Sequence, residues 1–457
     1  MRYHVKNISI FFIMSVILFV LVSTNAYAGQ NIKVYIDGEP LTTAQPAVIK
    51  DGSTMVPYRD IFEKLGASVD YNADTKVVTG FRGKERIELK IGDINAYVNG
   101  VKRQLSNAPY VVNGHTMVSL RFVSEALGAD VKWDNSTYTV NISTAPYRGY
   151  ILGFYAVRSY PQFERRAGSF SEASTLWFNV DKDGSIKQSL PDGYENVSAI
   201  ADESNTKLSA MFFGSRETVS PVLADANLRS FLAKNIVDTS VMYKYDGINI
   251  DFEGLESNDR DNFISFLREL KGYATESGLK LTVSLHAMTE ATTWYQGYNF
   301  KEIGNIADDV VLMAYDYHNP STTSGPIAPY WWVNDAIEYA IDNGIPAEKI
   351  LLGIGFYGYD WSDGGSASTL TIDEVINKLG GMQYNFDSKN LSPYFEYVEN
   401  GVKHIIWFED GDSIDLKLKL IRMYGLKGAA FWRIGTISES QMPGFNMWDV
   451  INKNLAK

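Results

Sequence analysis

Cysteine is absent from the chain. That excludes disulfides, a thiol nucleophile and thiolate metal sites. It also excludes a lipid-anchored lipoprotein, which needs a cysteine at its cleavage point. Histidine is scarce: His4, His115, His286, His318 and His404 are scattered, with no pair at the spacing of a zinc motif. No metal and no cofactor is expected. Positive charge is in deficit, at a net −12 over 457 residues, which argues against a nucleic-acid surface. A long apolar run occurs at Ile8 to Val22, short for a spanning helix.

That run sits in a leader-like start. Arg2 and Lys6 lie at its charged end, and Ala26-Tyr27-Ala28 supplies small residues at both positions that a signal peptidase requires. Residues 1–28 read as a signal peptide cleaved after Ala28, with an uncleaved membrane anchor as the alternative. Either way the bulk of the chain is expected to be secreted or extracellular. Aromatic residues are plentiful, with 28 Tyr and 9 Trp. Such rings suit flat, sugar-like ligands as well as core packing. The length points to two or three domains.

Residues 32–142 contain an internal repeat. Asp51-Gly-Ser-Thr-Met-Val-Pro-Tyr-Arg59 aligns with Asn113-Gly-His-Thr-Met-Val-Ser-Leu-Arg121, and Leu65-Gly-Ala-Ser-Val69 with Leu127-Gly-Ala-Asp-Val131. Each unit reads as a turn, a short strand, a helix (59–65; 121–127) and a β-hairpin (68–71 with 76–80; 130–133 with 138–142). The repeated residues are packing and turn residues, not a reactive set. Residues 29–143 are taken as one α+β domain, and Ser143-Thr-Ala-Pro146 as a short junction.

Residues 147–457 hold eight strand-like runs, mostly separated by helical patterns. They begin at Tyr150, Thr175, Lys207, Gly247, Lys280, Asp309, Ile350 and Gly428, and are continuously apolar, as parallel strands covered on both faces should be. The fold class is therefore α/β, a (β/α)8 TIM barrel. The stretch from Trp361 to Phe408 is too long for a plain helical crossover. It reads as a small α+β insertion after strand seven, at about residues 362–408.

In such barrels reactive residues sit at the C-terminal strand ends. Here those ends carry Tyr155, Asn179, Gly214-Ser215, Asp251 with Glu253, His286, Tyr315 with Asp316, Tyr357 and Trp432. Acids, phenols and rings without a basic cluster suit a neutral, hydroxyl-rich substrate, namely a glycan. Strand alternation places Asn249, Asp251 and Glu253 on one face and Ile248, Ile250 and Phe252 on the other. Two acids so close on one face are poor partners for attack from opposite sides of a bond. They suit Glu253 as proton donor and Asp251 as the holder of a substrate group that attacks C1, the substrate-assisted exception. Repulsion from Asp251 is expected to raise the pKa of Glu253.

Asp246-Gly-Ile-Asn-Ile-Asp-Phe-Glu253 resembles the Asp-Gly-x-Asp-x-Asp-x-Glu signature of glycoside hydrolase family 18, the chitinase-like barrels. Met313-Ala-Tyr-Asp316 resembles that family's Met-x-Tyr-Asp, and Trp432 matches the Trp that floors its cleavage subsite. The resemblance implies Glu253 as general acid then base, Asp251 as the group that orients the acetamido arm, and Tyr315 as a hydrogen-bond donor to its carbonyl. Asp316, Met313, Trp432, Asn249 and Tyr155 are implied as substrate-binding. Asn249 departs from the family's Asp, and Phe212-Phe-Gly-Ser215 from its Ser-x-Gly-Gly. With Trp407-Phe-Glu-Asp410 and Phe431-Trp-Arg-Ile-Gly435, the Asn resembles the branch of bacterial spore-cortex N-acetylglucosaminidases. The repeats of 32–142 resemble the copper amine oxidase N-terminal-like, or stalk, domain, which implies a spacer or a cell-wall-associating module; nothing in it looks like a copper site.

The expected function is a secreted hydrolase of β-1,4 bonds after N-acetylglucosamine in peptidoglycan of cell wall or spore cortex, retaining and substrate-assisted. The expected partner is a glycan containing N-acetylglucosamine, peptidoglycan or chitin. A chitinase or an endo-β-N-acetylglucosaminidase for N-glycans is a second reading, and a glycan-binding lectin on the same barrel a third. Trp331-Trp332 reads as a sugar platform or as core. Trp294, Tyr295 and Tyr298 read as groove lining or loop packing. His286 reads as structural, and Asp246 as an anchor where strand four begins.

Overall fold

A computed structural model describes residues 32–457 except 192, 364 and 366. The leader reading at 1–28 lies outside the described residues. Among the described residues no helix is long and apolar enough to cross a membrane.

The N-terminal unit is α+β and follows its internal repeat. Helices Tyr58–Lys64 and Leu120–Ala126 each follow a short strand, Ser53–Pro57 and His115–Ser119. Each helix stops at a Leu-Gly whose glycine is left-handed, Gly66 at φ 79 and Gly128 at φ 74, a conformation that costs glycine nothing. Each helix carries the repeated Arg in an i,i+4 pair, Arg59 with Glu63 at 3.2 Å and Arg121 with Glu125 at 3.0 Å. The two short strands pair antiparallel, with Val118 opposite Val56. The expected hairpins form, as Ser68–Asn72 with Val77–Arg82 and Asp130–Asp134 with Thr139–Ser143. The first hairpin extends into a meander through Glu85–Lys90, Asn95–Val98 and Val101–Gln104. The second repeat has no counterpart for that extension among the described residues.

Eight parallel strands follow: β1 (Tyr150–Tyr155), β2 (Glu172–Val180), β3 (Lys207–Ser215), β4 (Gly247–Glu253), β5 (Lys280–His286), β6 (Asp309–Met313), β7 (Ile350–Gly355) and β8 (Gly428–Trp432). β1 pairs with both β2 and β8, so the sheet closes. Leu152, Phe154, Met211, Val311, Met313, Leu351 and Ala430 fill the interior. Ile248, Ile250 and Phe252 pack outward against the helices. Phe252 stacks on Phe266 of helix Arg260–Glu276, ring centroids 5.3 Å apart. A fully buried ring of this kind contributes about 2–3 kcal/mol. Asp246 fixes the start of β4 as expected, accepting from the Leu208 amide at 2.9 Å.

The insertion between β7 and β8 is α+β, and it starts earlier than residue 362. Strand Tyr357–Ser362 already pairs antiparallel with Val402–Phe408 in a five-stranded sheet, which carries helix Ile372–Leu379. Tyr357, Tyr359 and Trp361 share one face of that first strand, with Trp407. Period-2 alternation, masked in the sequence by the run of large residues, is what starts the strand there.

The N-terminal unit lies against the barrel's flank. Buried Glu85 pairs with Arg82 and with Lys419, both at 3.0 Å. Arg103 pairs with Glu338 at 2.7 Å and also donates to Asn334.

Candidate active site

The site is built at the C-terminal end of β4. Asp251 is buried at 4% exposure, whereas Glu253, two residues on and at the rim, is half-buried. Asp251 Oδ1 has no hydrogen-bond partner among the described residues. Burial, then the charge of Glu253, pushes the Asp251 carboxyl well above its ordinary range. An unpartnered buried oxygen and a raised pKa both favour the protonated acid. Burial also raises Glu253, followed by the charge of Asp316. Asp316 is thus a second like-charge neighbour of Glu253, beside Asp251, whose own carboxyl is raised by Glu253.

Asp316 sits on the loop after β6, at φ 63. That left-handed backbone is uncommon for a residue with a side chain and clusters at functional sites. Two phenols hold the residue: Tyr359 donates to its Oδ1 at 2.7 Å, and Tyr357 donates to the same oxygen. Both come from the insertion's first strand. Burial raises the Asp316 pKa, partly offset by these two hydrogen bonds. A Cβ at Gly355 would collide with the Tyr357 ring, so glycine there leaves space for the phenol to fold back toward Asp316.

Tyr315 precedes Asp316. Its ring lies 6.5 Å from Trp432, nearly parallel, and 6.4 Å edge-on from Tyr357. Burial, then the charges of Asp251, Asp316 and Glu253, keeps its phenol protonated. Trp432 ends β8 and packs over Phe154 at 5.4 Å. Met313 belongs to the same interior cluster. Asp251, Glu253, Met313, Tyr315, Asp316 and Trp432 thus gather at one end of the barrel.

Two expected site residues lie elsewhere. Tyr155 is outside the barrel wall. Leu152 and Phe154 point inward, so alternation turns Tyr155 outward, edge-on to Phe163 and Trp177 at 5.5 Å each. Phe154 occupies the place under Trp432. Asn249 is fully buried one layer beneath Asp251, and its amide is already used. Nδ2 donates to Ser174 at 3.1 Å, and Ser284 donates to Oδ1 at 3.0 Å. It bridges β2, β4 and β5 below the site instead of meeting substrate.

Neighbouring residues resolve as well. His286 is structural: burial holds its pKa down to about 4, and its ring stacks on Tyr295 at 4.6 Å. Tyr298 is loop packing, its hydroxyl donating to the Phe252 carbonyl at 2.7 Å. Trp294 is exposed and Trp332 buried. In the Trp407-Phe-Glu-Asp run, Glu409 pairs with Lys417 at 2.6 Å in the core, and Asp410 caps helix Gly411–Tyr424. That motif returns the chain from the insertion to the barrel. Tyr359 was missed by sequence reasoning; its signal is the alternation Tyr357-Gly-Tyr-Asp-Trp361.

The family model described as glycosyl hydrolases family 18 matches residues 131–436, and that for the copper amine oxidase N-terminal domain matches residues 35–142. The chain is 31% identical over 257 residues to the cortical fragment-lytic enzyme of Bacillus subtilis (strain 168), which covers 52% of this chain and 59% of that protein. The solved structure of the spore cortex-lytic enzyme SleL from Bacillus megaterium QM B1551 superposes with a TM-score of 0.61 at 27% identity, covering 68% of this chain and 76% of the other. A chitinase from Chromobacterium violaceum ATCC 12472 gives a TM-score of 0.61 at 26% identity, covering 67% of this chain and 98% of the other.

Proposed function

This chain belongs to glycosyl hydrolase family 18, and we propose that it is a secreted N-acetylglucosaminidase that cuts β-1,4 bonds of peptidoglycan. The observation that carries the reading is the stack of acids on β4, with protonation favoured at Asp251 by burial beside half-buried Glu253. The barrel at 147–457, the stalk at 29–143 and the leader at 1–28 form the proposed division of the chain.

In the first step Glu253 gives its proton to the glycosidic oxygen as the C1–O bond breaks. The acetamido oxygen of the same sugar forms the new bond to C1. Asp251 accepts a hydrogen bond from the acetamido N–H on its unpartnered Oδ1 and so orients the group, while the Tyr315 hydroxyl donates to the acetamido oxygen. Trp432 floors the sugar ring, with Met313 and Asp316 at its edge. In the second step water attacks C1, Glu253 accepts its proton, and the acetamido–C1 bond opens. Two inversions give net retention.

Kinship with cortex-lytic enzymes supports peptidoglycan of the spore cortex or cell wall as the glycan. The test is mass spectrometry of fragments released from spore cortex, vegetative cell wall and chitin side by side. Soluble fragments ending in reducing N-acetylglucosamine are expected from a peptidoglycan. Release from chitin alone would sink this reading in favour of a chitinase. Muramic reducing ends would show the wrong bond was assigned.

A further inference from the structure

We propose that the cleft between the N-terminal unit and the insertion is an accessory subsite for the carboxylates of an anionic glycan strand. This rests on the peptidoglycan reading, since chitin carries no carboxylate and the peptides of peptidoglycan do.

The cleft has a volume of about 560 Å³ and is lined by Phe81, Lys84 and Arg86 from the N-terminal unit and by Trp331, Phe386 and Lys389 across from them. Lys84 Nζ stands 4.7 Å from the centroid of the Phe386 ring, so the two units meet over this space. Lys84 and Lys389 are both exposed, and neither makes an ion pair among the described residues. Arg86 has one partner, Glu88 at 2.8 Å, and stays 54% exposed. Among the described residues Glu85 is the one acid lining the cleft, and it is buried between Arg82 and Lys419. The exposed charge facing the cleft is therefore positive, on a chain whose net charge is −12. A local reversal of sign of this kind selects an anion.

The cleft is also joined to the active site. Trp331 packs edge-on to Tyr317 at 5.5 Å, and Tyr317 directly follows Asp316. Trp331 is held by its Nε1, which donates to Asn390 at 3.1 Å. A strand that passes Asp316 and crosses Tyr317 reaches the cleft at Trp331. Rings can hold its sugars while Lys84, Arg86 and Lys389 meet its carboxylates. The ion pairs of Arg103 and Lys419 across the domain boundary fix the cationic edge in place. The N-terminal unit thereby contributes part of the substrate surface.

The experiment uses the full chain carrying Glu253→Gln, so that strands bind without being cut. Two probes are compared: soluble peptidoglycan strands bearing their peptides, and the same strands with carboxylates converted to neutral amides. The pair Lys84→Glu with Lys389→Glu is expected to weaken binding of the anionic strands about tenfold at low salt, and of the amidated strands less than twofold. Lys389→Glu alone, on an exposed loop, should show the same selectivity at smaller size. Raising salt should weaken only the anionic probe. Equal loss on both probes, or loss on neither, overturns the proposal. Fragment release from peptidoglycan by the unmodified chain is measured in parallel. Charge-insensitive binding with release intact sinks the cleft alone; charge-selective binding without release sinks the hydrolase reading alone.

Discussion

The Tyr359 hydroxyl donates to Oδ1 of Asp316 at 2.7 Å, so a strand of the insertion holds the carboxylate whose charge raises Glu253. Removing that charge lets Glu253 ionise more easily. Asp316→Asn is therefore expected to move the alkaline limb of the kcat/KM pH profile to lower pH, because the general acid must stay protonated. A pH–rate series on a soluble chito-oligosaccharide measures it. An unmoved limb would show that Asp316 does not tune the acid.

Glu253→Gln keeps the shape of the side chain and removes the transferable proton. Turnover should fall by about 10²- to 10⁴-fold, while oligosaccharide binding, followed by tryptophan fluorescence, persists. Turnover within tenfold of the parent contradicts the catalytic assignment.

Asn249 is satisfied by two serines and makes no hydrogen bond to a cationic side chain among the described residues. In Asn249→Asp the new carboxyl would be buried, so its folded pKa would exceed its unfolded one. Folding then binds a proton, and stability is lost as pH rises through the folded pKa. Near pH 4 the variant should resemble the parent; near pH 8 it should be weaker by about 1–3 kcal/mol. Urea midpoints at both pH values decide the matter. A constant difference would refute the buried-bridge account.

His286 shows the opposite linkage. Its folded pKa of about 4 lies below the ordinary 6.5, so the unfolded chain binds the proton more readily. Stability is lost as pH falls from about 6.5 toward 4, by about 3 kcal/mol at most. His286→Asn should flatten that part of the stability profile. If both proteins lose stability in parallel, another group is responsible.

Glu85 is 3% exposed and its partner Lys419 is 8% exposed. Glu85→Ala breaks a buried pair, although Lys419 keeps Asp415. A loss of about 3 kcal/mol is expected in chemical denaturation of the full chain. A change below 0.5 kcal/mol would mean that the two units are not coupled through this pair.

The barrel was readable because continuous apolar runs mark doubly covered strands, and all eight runs became wall strands. Family-like spacing around Glu253 and Tyr315 located the acids. What escaped was whatever depends on the direction of a side chain in a fully apolar strand. In Tyr150–Tyr155 every residue is large or glycine, so nothing in the composition tells inside from outside, and the outward turn of Tyr155 shows only in the folded barrel. Asn249 shares a face with Asp251 as alternation requires, but its depth is set by Ser174 and Ser284, far away in sequence. The Asp316–Tyr359 bond likewise joins the loop after β6 to a strand of the insertion, which only the closed barrel brings together.

In the N-terminal unit Val56 lies opposite Val118, its own counterpart in the other repeat, and Met55 and Pro57 exchange places with theirs. A strand that pairs with its own equivalent is a self-complementary edge. One repeat alone would leave that edge bare, and two separate copies would close it about a two-fold axis. The unit is in effect a tethered homodimer. Among the described residues only its first half carries the meander that faces the barrel.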